Sequence, residues 1–371
     1  MIIRLPYGSA KLEAELPDRV QPVILEPSSV EIPRGDPGEI VAEALENPIG
    51  TARLKDLVKP GVKVAVLTSD VTRPCPSNIL LPFVLRELKA GGVPPSDVTV
   101  FFATGSHRSH TEDEKRRLLG EEVYGMVKAV DHDAQDRQNL HSVGVTFRGT
   151  EVSINREVFS RDLIVAVANL DIHYFMGYSG GAKPLVPGVA SLDTIQQNHT
   201  LLLDPESKPG KADGNPIRED IEEAAGKVGL DFILNAVLNE SKQVVAAVAG
   251  DFIKAHRAGL PTVDKLYKVP LEAPCDIVIA SASGFPKDIN LYQAHKALAH
   301  AGHAVKSGGT IILVAECRDG LGSKVFEQWL MEASSPRDVM ERLKAGFALG
   351  GHKAALIAKL KERADIMLVS Q

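Results

Sequence analysis

Three stretches of this chain are apolar almost without a break, and each is too short for an ordinary helix. Residues 62–68 read Val-Lys-Val-Ala-Val-Leu-Thr, residues 98–103 Val-Thr-Val-Phe-Phe-Ala and residues 163–168 Leu-Ile-Val-Ala-Val-Ala. Short, mostly β-branched runs without alternation fit strands covered on both faces, the pattern of a parallel sheet. Each run ends in a loop that leads into a helical stretch. Residues 69–76 precede a helix over 77–90. Residues 104–110 precede a helix opened by Thr111, which with Glu114 makes a capping box. Residues 169–188, with four glycines and two prolines, precede a helix that starts near Ser191. Strand–loop–helix repetition makes neighbouring strands parallel and brings all such loops to one edge of the sheet. That edge is where open α/β sheets bind ligands.

The remaining pattern divides the chain. Residues 1–57 read as an arm of short strands, with a turn at Tyr7–Gly8 and a helix over 39–46. Residues 123–160 are polar and turn-rich, with a hairpin of 143–147 and 151–154; His132 and His141 there read as structural or surface residues. A helix is expected over 219–228, and 232–238 and 244–249 alternate like antiparallel strands. A helix over 252–260 closes a first domain of residues 1–267, and the proline-flanked stretch 268–274 reads as a linker. After it the α/β pattern restarts, with strands at 276–280, 310–314 and 366–370 and helices at 290–306, 324–332, 336–343 and 353–363. The expected fold is therefore α/β with two domains, 1–267 and 275–371. Each has a mostly parallel sheet flanked by helices, and the cleft between them is the default site.

Composition narrows the function. A net charge of −6 offers no nucleic-acid footprint. No apolar run is long enough to span a membrane, and the first residues make neither a signal nor a transit peptide. Three scattered cysteines, Cys75, Cys275 and Cys317, are the usage of a reduced, cytoplasmic protein and leave no zinc-type pair.

The loop 169–188 looks like a phosphate cradle, but Ala182 and Pro184 flank Lys183 where a P-loop needs Gly before and Ser or Thr after. A lysine on so constrained a backbone suits covalent attachment. Singly, the other strand-end residues have plain readings. Asp70 and Arg73 could be a helix-entry ion pair, His107 a surface histidine and His199 part of an ordinary helix face. His110, His256, His295, His300, His303 and His352 take no role; His300 and His303 have metal-pair spacing but lack a third ligand.

Together the motifs are more specific. They are Ser69-Asp70-x-Thr72-Arg73-Pro74-x-Pro76, Gly105-x-His107-Arg108, His173-x4-Tyr178-Ser179-Gly180-Gly181-x-Lys183-x3-Pro187-Gly188, His199, and Tyr292-Gln293-x2-Lys296. In this order, across nearly the whole chain, they resemble the nickel-pincer lactate racemase family. The resemblance implies a nickel-bearing pyridinium mononucleotide with two thiocarbonyl arms, linked to Lys183, with His199 as a nickel ligand. It implies His107 and His173 as acid and base on the two faces of the substrate. Arg73, Tyr292, Gln293 and Lys296 would hold the substrate, and Asp70, Thr72, Ser179, Gly180 and Gly181 would meet the cofactor. The implied reaction inverts C2 of lactate or another short 2-hydroxy acid, and cofactor-building enzymes are implied partners. The chemistry is coherent: the α-hydrogen of a hydroxy-carboxylate is too weakly acidic for a histidine to remove as a proton, so transfer as hydride avoids the carbanion. The alternatives are a 2-epimerase of sugar acids (aldonates), a protein that only binds the nickel nucleotide, and a metal hydrolase using some of the same histidines. One departure stands out. Lactate racemases proper carry a tryptophan near the stretch Gly351-His352-Lys353-Ala354, whereas the one tryptophan here is Trp329.

Overall fold

The computed structural model describes residues 1–26 and 35–371, and the part of the expected N-terminal arm at 27–34 lies outside the described residues. The chain forms two compact units, Pro27–Lys268 and Met1–Glu26 with Val269–Gln371.

The larger unit is built on a six-stranded sheet. Its order is Val244–Gly250, Phe232–Leu238, Leu163–Leu170, Val64–Ser69, Val98–Ala103 and Lys128–Asp131. All neighbours are parallel except the edge pair Phe232–Leu238 and Val244–Gly250. Alternate residues explain the unbroken apolar runs. Val64, Val66, Val100, Phe102, Val165 and Val167 enter one core with Leu80, Leu81, Val84 and Leu88 of the helix Ser77–Ala90. Ala65, Leu67, Phe101, Ile164 and Ala166 enter a second core with Ile221, Ala224 and Ala225 of the helix Pro216–Val228. Both faces are covered, as the strand composition requires.

Two differences have local causes. The edge strand Lys128–Asp131 was not expected, because four residues that include a lysine and an aspartate give no periodic signal. The hairpin forms as Leu140–Val145 against Glu151–Asn155, shifted from 143–147. Thr146 leaves the ladder because its hydroxyl is drawn to Asp220 at 2.5 Å.

The smaller unit has a parallel sheet in the order Cys275–Ser281, Val305–Val314, Ala364–Val369. The helices Leu291–Ala304 and Gly351–Lys361 pack with it. Its membership corrects the expected boundary: residues 1–26 belong here and not with residues 35–268. The hairpin Ile2–Tyr7/Ala10–Glu15 is fastened by Asp288, a wholly buried carboxylate that accepts from Gly8 N at 2.7 Å. Phe285 N donates to Gly8 O at 2.8 Å, and Ser281 Oγ to Pro6 O at 2.7 Å. No helix among the described residues is long and apolar enough to cross a membrane.

Several histidines are buried in neutral form. Burial, then the Arg218 and Arg257 charges, push His256 well below 6.5; burial and Lys353 push His352 down to about 3. A histidine depressed in the folded state leaves the unfolded chain with more protons below pH 6.5. Stability is therefore fully present above that value and lost as pH falls. The unfolding free energy should drop between pH 7 and 5 by up to about 1.4 kcal/mol per pH unit per such histidine. Denaturant melts at three pH values measure this, and a flat profile would contradict it.

Candidate active site

The first two strand-end loops of the larger unit make a carboxylate–histidine pair. Asp70 is buried at the end of Val64–Ser69, and its Oδ1 accepts from Thr72 N at 2.8 Å and Thr72 Oγ1 at 2.6 Å. Its Oδ2 takes His107 Nδ1 at 2.5 Å. Burial raises the Asp70 carboxyl, but hydrogen bonds from His107 and Thr72 and the charges of His107 and Arg73 more than offset this, holding it below its ordinary value. With Nδ1–H directed at a carboxylate, the neutral His107 ring carries its lone pair on Nε2, and the side chain is 41% exposed. This is the orientation a general base needs. Arg73 is exposed and closes the turn through its N–H to Asp70 O at 3.1 Å.

His110, to which the sequence assigned no role, anchors this turn. Its buried ring gives Nδ1 to Asp131 Oδ1 at 2.5 Å and accepts Val71 N–H on Nε2 at 3.0 Å. The ring is therefore a neutral Nδ1–H tautomer, fixed between a carboxylate and the backbone of the Asp70–Arg73 turn. Asp131 ends the unexpected edge strand, so nothing in the sequence linked it to His110.

The third loop carries His173 and Lys183. His173 pairs with Gly177 across a two-residue ladder, and its Nδ1 accepts Met176 N–H at 3.3 Å, which puts the ring proton on Nε2. Burial, then the charges of Lys183, Arg73, His199 and Arg218, push His173 well below 6.5. The Phe175 ring stands edge-on to His173 at 4.6 Å and to His199 at 5.3 Å, so one aromatic ring lies between the two histidines. His199 is in the last turn of the helix Leu192–Thr200, which starts where expected and is capped by Ser191.

Positive φ at Gly177, Gly180 and Gly181 shapes this loop. Gly180 and Gly181 have φ of +70° and +61°, and Gly181 N donates inward to Asn235 Oδ1 at 2.8 Å. Ser179 Oγ donates to Asn169 O at 2.9 Å, and Ser179 O accepts from His256 Nε2 at 2.9 Å. The buried Arg218 guanidinium donates to Tyr178 O and, at 3.2 Å, to Gly180 O. The polar groups of Ser179, Gly180 and Gly181 thus hold the loop that presents Lys183, much as Thr72 holds Asp70. Arg218, His256 and Asn235 were missed because each lies far along the chain from the loop it supports.

Gly177, with φ of +76°, leaves no room for a side chain, since a Cβ would overlap the carbonyl of Lys211. Gly177→Ala is expected to cost about 3 kcal/mol or more, through the steric clash and the positive φ. A urea melt measures it, and a loss under about 1 kcal/mol, the typical cost of any substitution, would contradict the packing.

Tyr292, Gln293 and Lys296 gather in the smaller unit, on the first turns of the helix Leu291–Ala304, capped by Asn290 through Gln293 N at 3.0 Å. Lys296 is exposed, with Nζ 3.3 Å from Gln293 Oε1. Lys353, buried, sits 3.4 Å from the Tyr292 ring centre and donates to Tyr292 O at 2.9 Å. Burial raises the Tyr292 hydroxyl. Trp329 reaches the 351–354 stretch from another helix: a Cβ on Gly351 would lie 2.7 Å from its ring. Among the described residues, no three His, Cys, Asp or Glu side chains gather as a metal site.

The lactate racemase N-terminal domain model matches residues 7–210 and the C-terminal domain model residues 271–354. A lactate racemase of Thermoanaerobacterium thermosaccharolyticum is 38% identical over 344 residues, 92% of this chain and 80% of that protein. One from Lactiplantibacillus plantarum is 35% identical over 306 residues, 82% of this chain and 72% of that protein. The structure of the lactate racemase apoprotein from T. thermosaccharolyticum superposes with a TM-score of 0.91 at 36% identity, covering 100% of this chain and 88% of that one. A Thermotoga maritima protein shares the fold alone, with a TM-score of 0.67 at 22% identity over 91% of this chain and 89% of that one. Two matched domains, two relatives above one-third identity and a common two-domain fold make this chain a member of the lactate racemase family, and so an isomerase.

Proposed function

We propose that the chain inverts C2 of a short 2-hydroxy acid, lactate foremost, using a nickel-pincer nucleotide held by Lys183 and His199. The observation that carries this reading is a pair of histidines held in opposite tautomers. His107, with Nδ1–H on Asp70, offers Nε2 as a base, while His173, with Nδ1 accepting from Met176 N, holds a proton on Nε2 and becomes an acid once Nδ1 is protonated as well. A racemase needs one of each in every turnover and exchanges their roles in the reverse direction.

The residues fit the cofactor. Lys183 and His199 are both near enough to His173 to act on it electrostatically. A nickel ion that brings its other ligands with it needs only one imidazole, which accords with the lack of a three-residue metal cluster among the described residues. When bound, the nucleotide supplies a reversible acceptor for the α-hydrogen as hydride. The chain's residues do the rest. Arg73, exposed beside Asp70, binds the substrate carboxylate as a bidentate fork. His107 Nε2 takes the C2 hydroxyl proton, and once the opposite face is presented His173, protonated at both ring nitrogens, returns a proton to the oxygen and is left neutral. The family resemblance also assigns Tyr292, Gln293 and Lys296 to the substrate, and Asp70, Thr72, Ser179, Gly180 and Gly181 shape the loops proposed to meet the cofactor.

The test uses protein made together with the cofactor-building enzymes and offers single enantiomers of lactate, other 2-hydroxy acids and aldonates, with chiral readout. Lactate of either hand should approach an equal mixture. Inversion of aldonates alone would move the substrate class, and inversion of nothing would overturn the proposal.

A further inference from the structure

The helix Pro216–Val228 buries three charged side chains: Arg218 and Asp220 almost completely and Glu222 to 7% exposure. Burying charge is costly, and apolar residues would pack a helix more cheaply. Each charge has a destination. Arg218 holds Tyr178 O and Gly180 O, the backbone just before Lys183. Its Nε has no hydrogen-bond partner among the described residues, and Glu222 Oε1 stands 3.9 Å away, so the charge is directed mainly at the loop carbonyls. Asp220 accepts from Asn198 Nδ2 at 2.8 Å, next to His199, and from Thr146 Oγ1 at 2.5 Å and Thr150 Oγ1 at 2.8 Å. Glu222 grips Arg257 at 2.7 and 2.8 Å, and the adjacent His256 holds Ser179 O. Residues two apart on a helix project about 200° apart, so Arg218 and Asp220 serve opposite sides.

We propose that this helix is the gauge that sets Lys183 against His199, with Arg218 positioning the lysine loop and Asp220 positioning the histidine helix. The inference rests on the proposed function, because two attachment points for one rigid group must keep a fixed separation. Glu222 acts at one remove, through Arg257 and His256, on the lysine side.

The experiment uses the full chain with Arg218→Lys and Asp220→Asn, both near-isosteric, so that folding is retained. Amide exchange in the cofactor-free protein is read first. Arg218→Lys should speed exchange at 177–188 about tenfold, the loss of one charged hydrogen bond, and leave 192–203 unchanged. Asp220→Asn should do the reverse. Protein made with the cofactor-building enzymes is then read by intact mass and nickel content. Arg218→Lys should lower the fraction of chains modified at Lys183. Asp220→Asn should keep the modification and lose nickel per modified chain. Equal exchange in both segments for both variants, or wild-type modification and nickel in both, would overturn the gauge. An unmodified wild type from a host that loads a true lactate racemase would instead overturn the cofactor reading, while the exchange result would still decide whether the helix holds the two segments separately.

Discussion

His107→Ala and His173→Ala are each expected to lower turnover by about 10²–10⁴, in both directions, with Lys183 modification and nickel content unchanged. Inversion needs a proton taken on one face and returned on the other, so loss of either histidine stops both directions alike. A single-face enzyme would lose one direction preferentially. The two variants should also differ in their dependence on neighbours. Asp70→Asn removes the carboxylate that fixes the His107 tautomer at 2.5 Å, and so should reproduce much of the His107→Ala loss. Among the described residues no carboxylate holds the His173 ring in that way; a backbone N–H does, at 3.3 Å. Initial rates from each pure enantiomer, with nickel measured on the same samples, check the set. If either alanine variant kept a tenth of the wild-type rate both ways, the paired acid–base role would fail.

The second large effect is on the covalent bond proposed at Lys183. Lys183→Ala should abolish the mass increment completely, since no other side chain occupies that place in the loop. Lys183→Arg should do the same, because a guanidinium protonated at all working pH values is no nucleophile. His199→Ala should keep the increment and lose most of the nickel, because the imidazole is a ligand and not the attachment point. Intact mass and metal analysis of protein from one loading host separate these outcomes. A Lys183→Ala chain that still carried the increment would move the attachment elsewhere.

The sheet of the larger unit was legible because its strands are buried on both faces, so the apolar runs 62–68, 98–103 and 163–168 mark themselves. The helix cap at Thr111 was legible because a capping box is a local sequence pattern. The residues proposed for the chemistry of the larger unit stood out as strand-end loops dense in polar groups. What supports them did not. His110 works through Asp131, Ser179 through His256, and the Lys183 loop through Arg218 and Asn235. These pairings span 21 to 77 residues and leave no periodicity to read. Ser179 Oγ and Gly181 N turn into the protein, a direction that backbone dihedrals fix and composition does not. Trp329 shows the same limit: its approach to Gly351 depends on how two helices of the smaller unit pack.

The clasp between Gly8 and Asp288 spans 280 residues, and it orders events during synthesis. At about 5–20 residues per second, the strand Ile2–Tyr7 leaves the ribosome roughly 15–55 s before its anchor exists. The larger unit, continuous from Pro27 to Lys268, meets no such delay, and both Lys183 and His199 lie within it. A nascent chain can therefore finish the scaffold of its lysine and histidine while the smaller unit is still two unjoined segments.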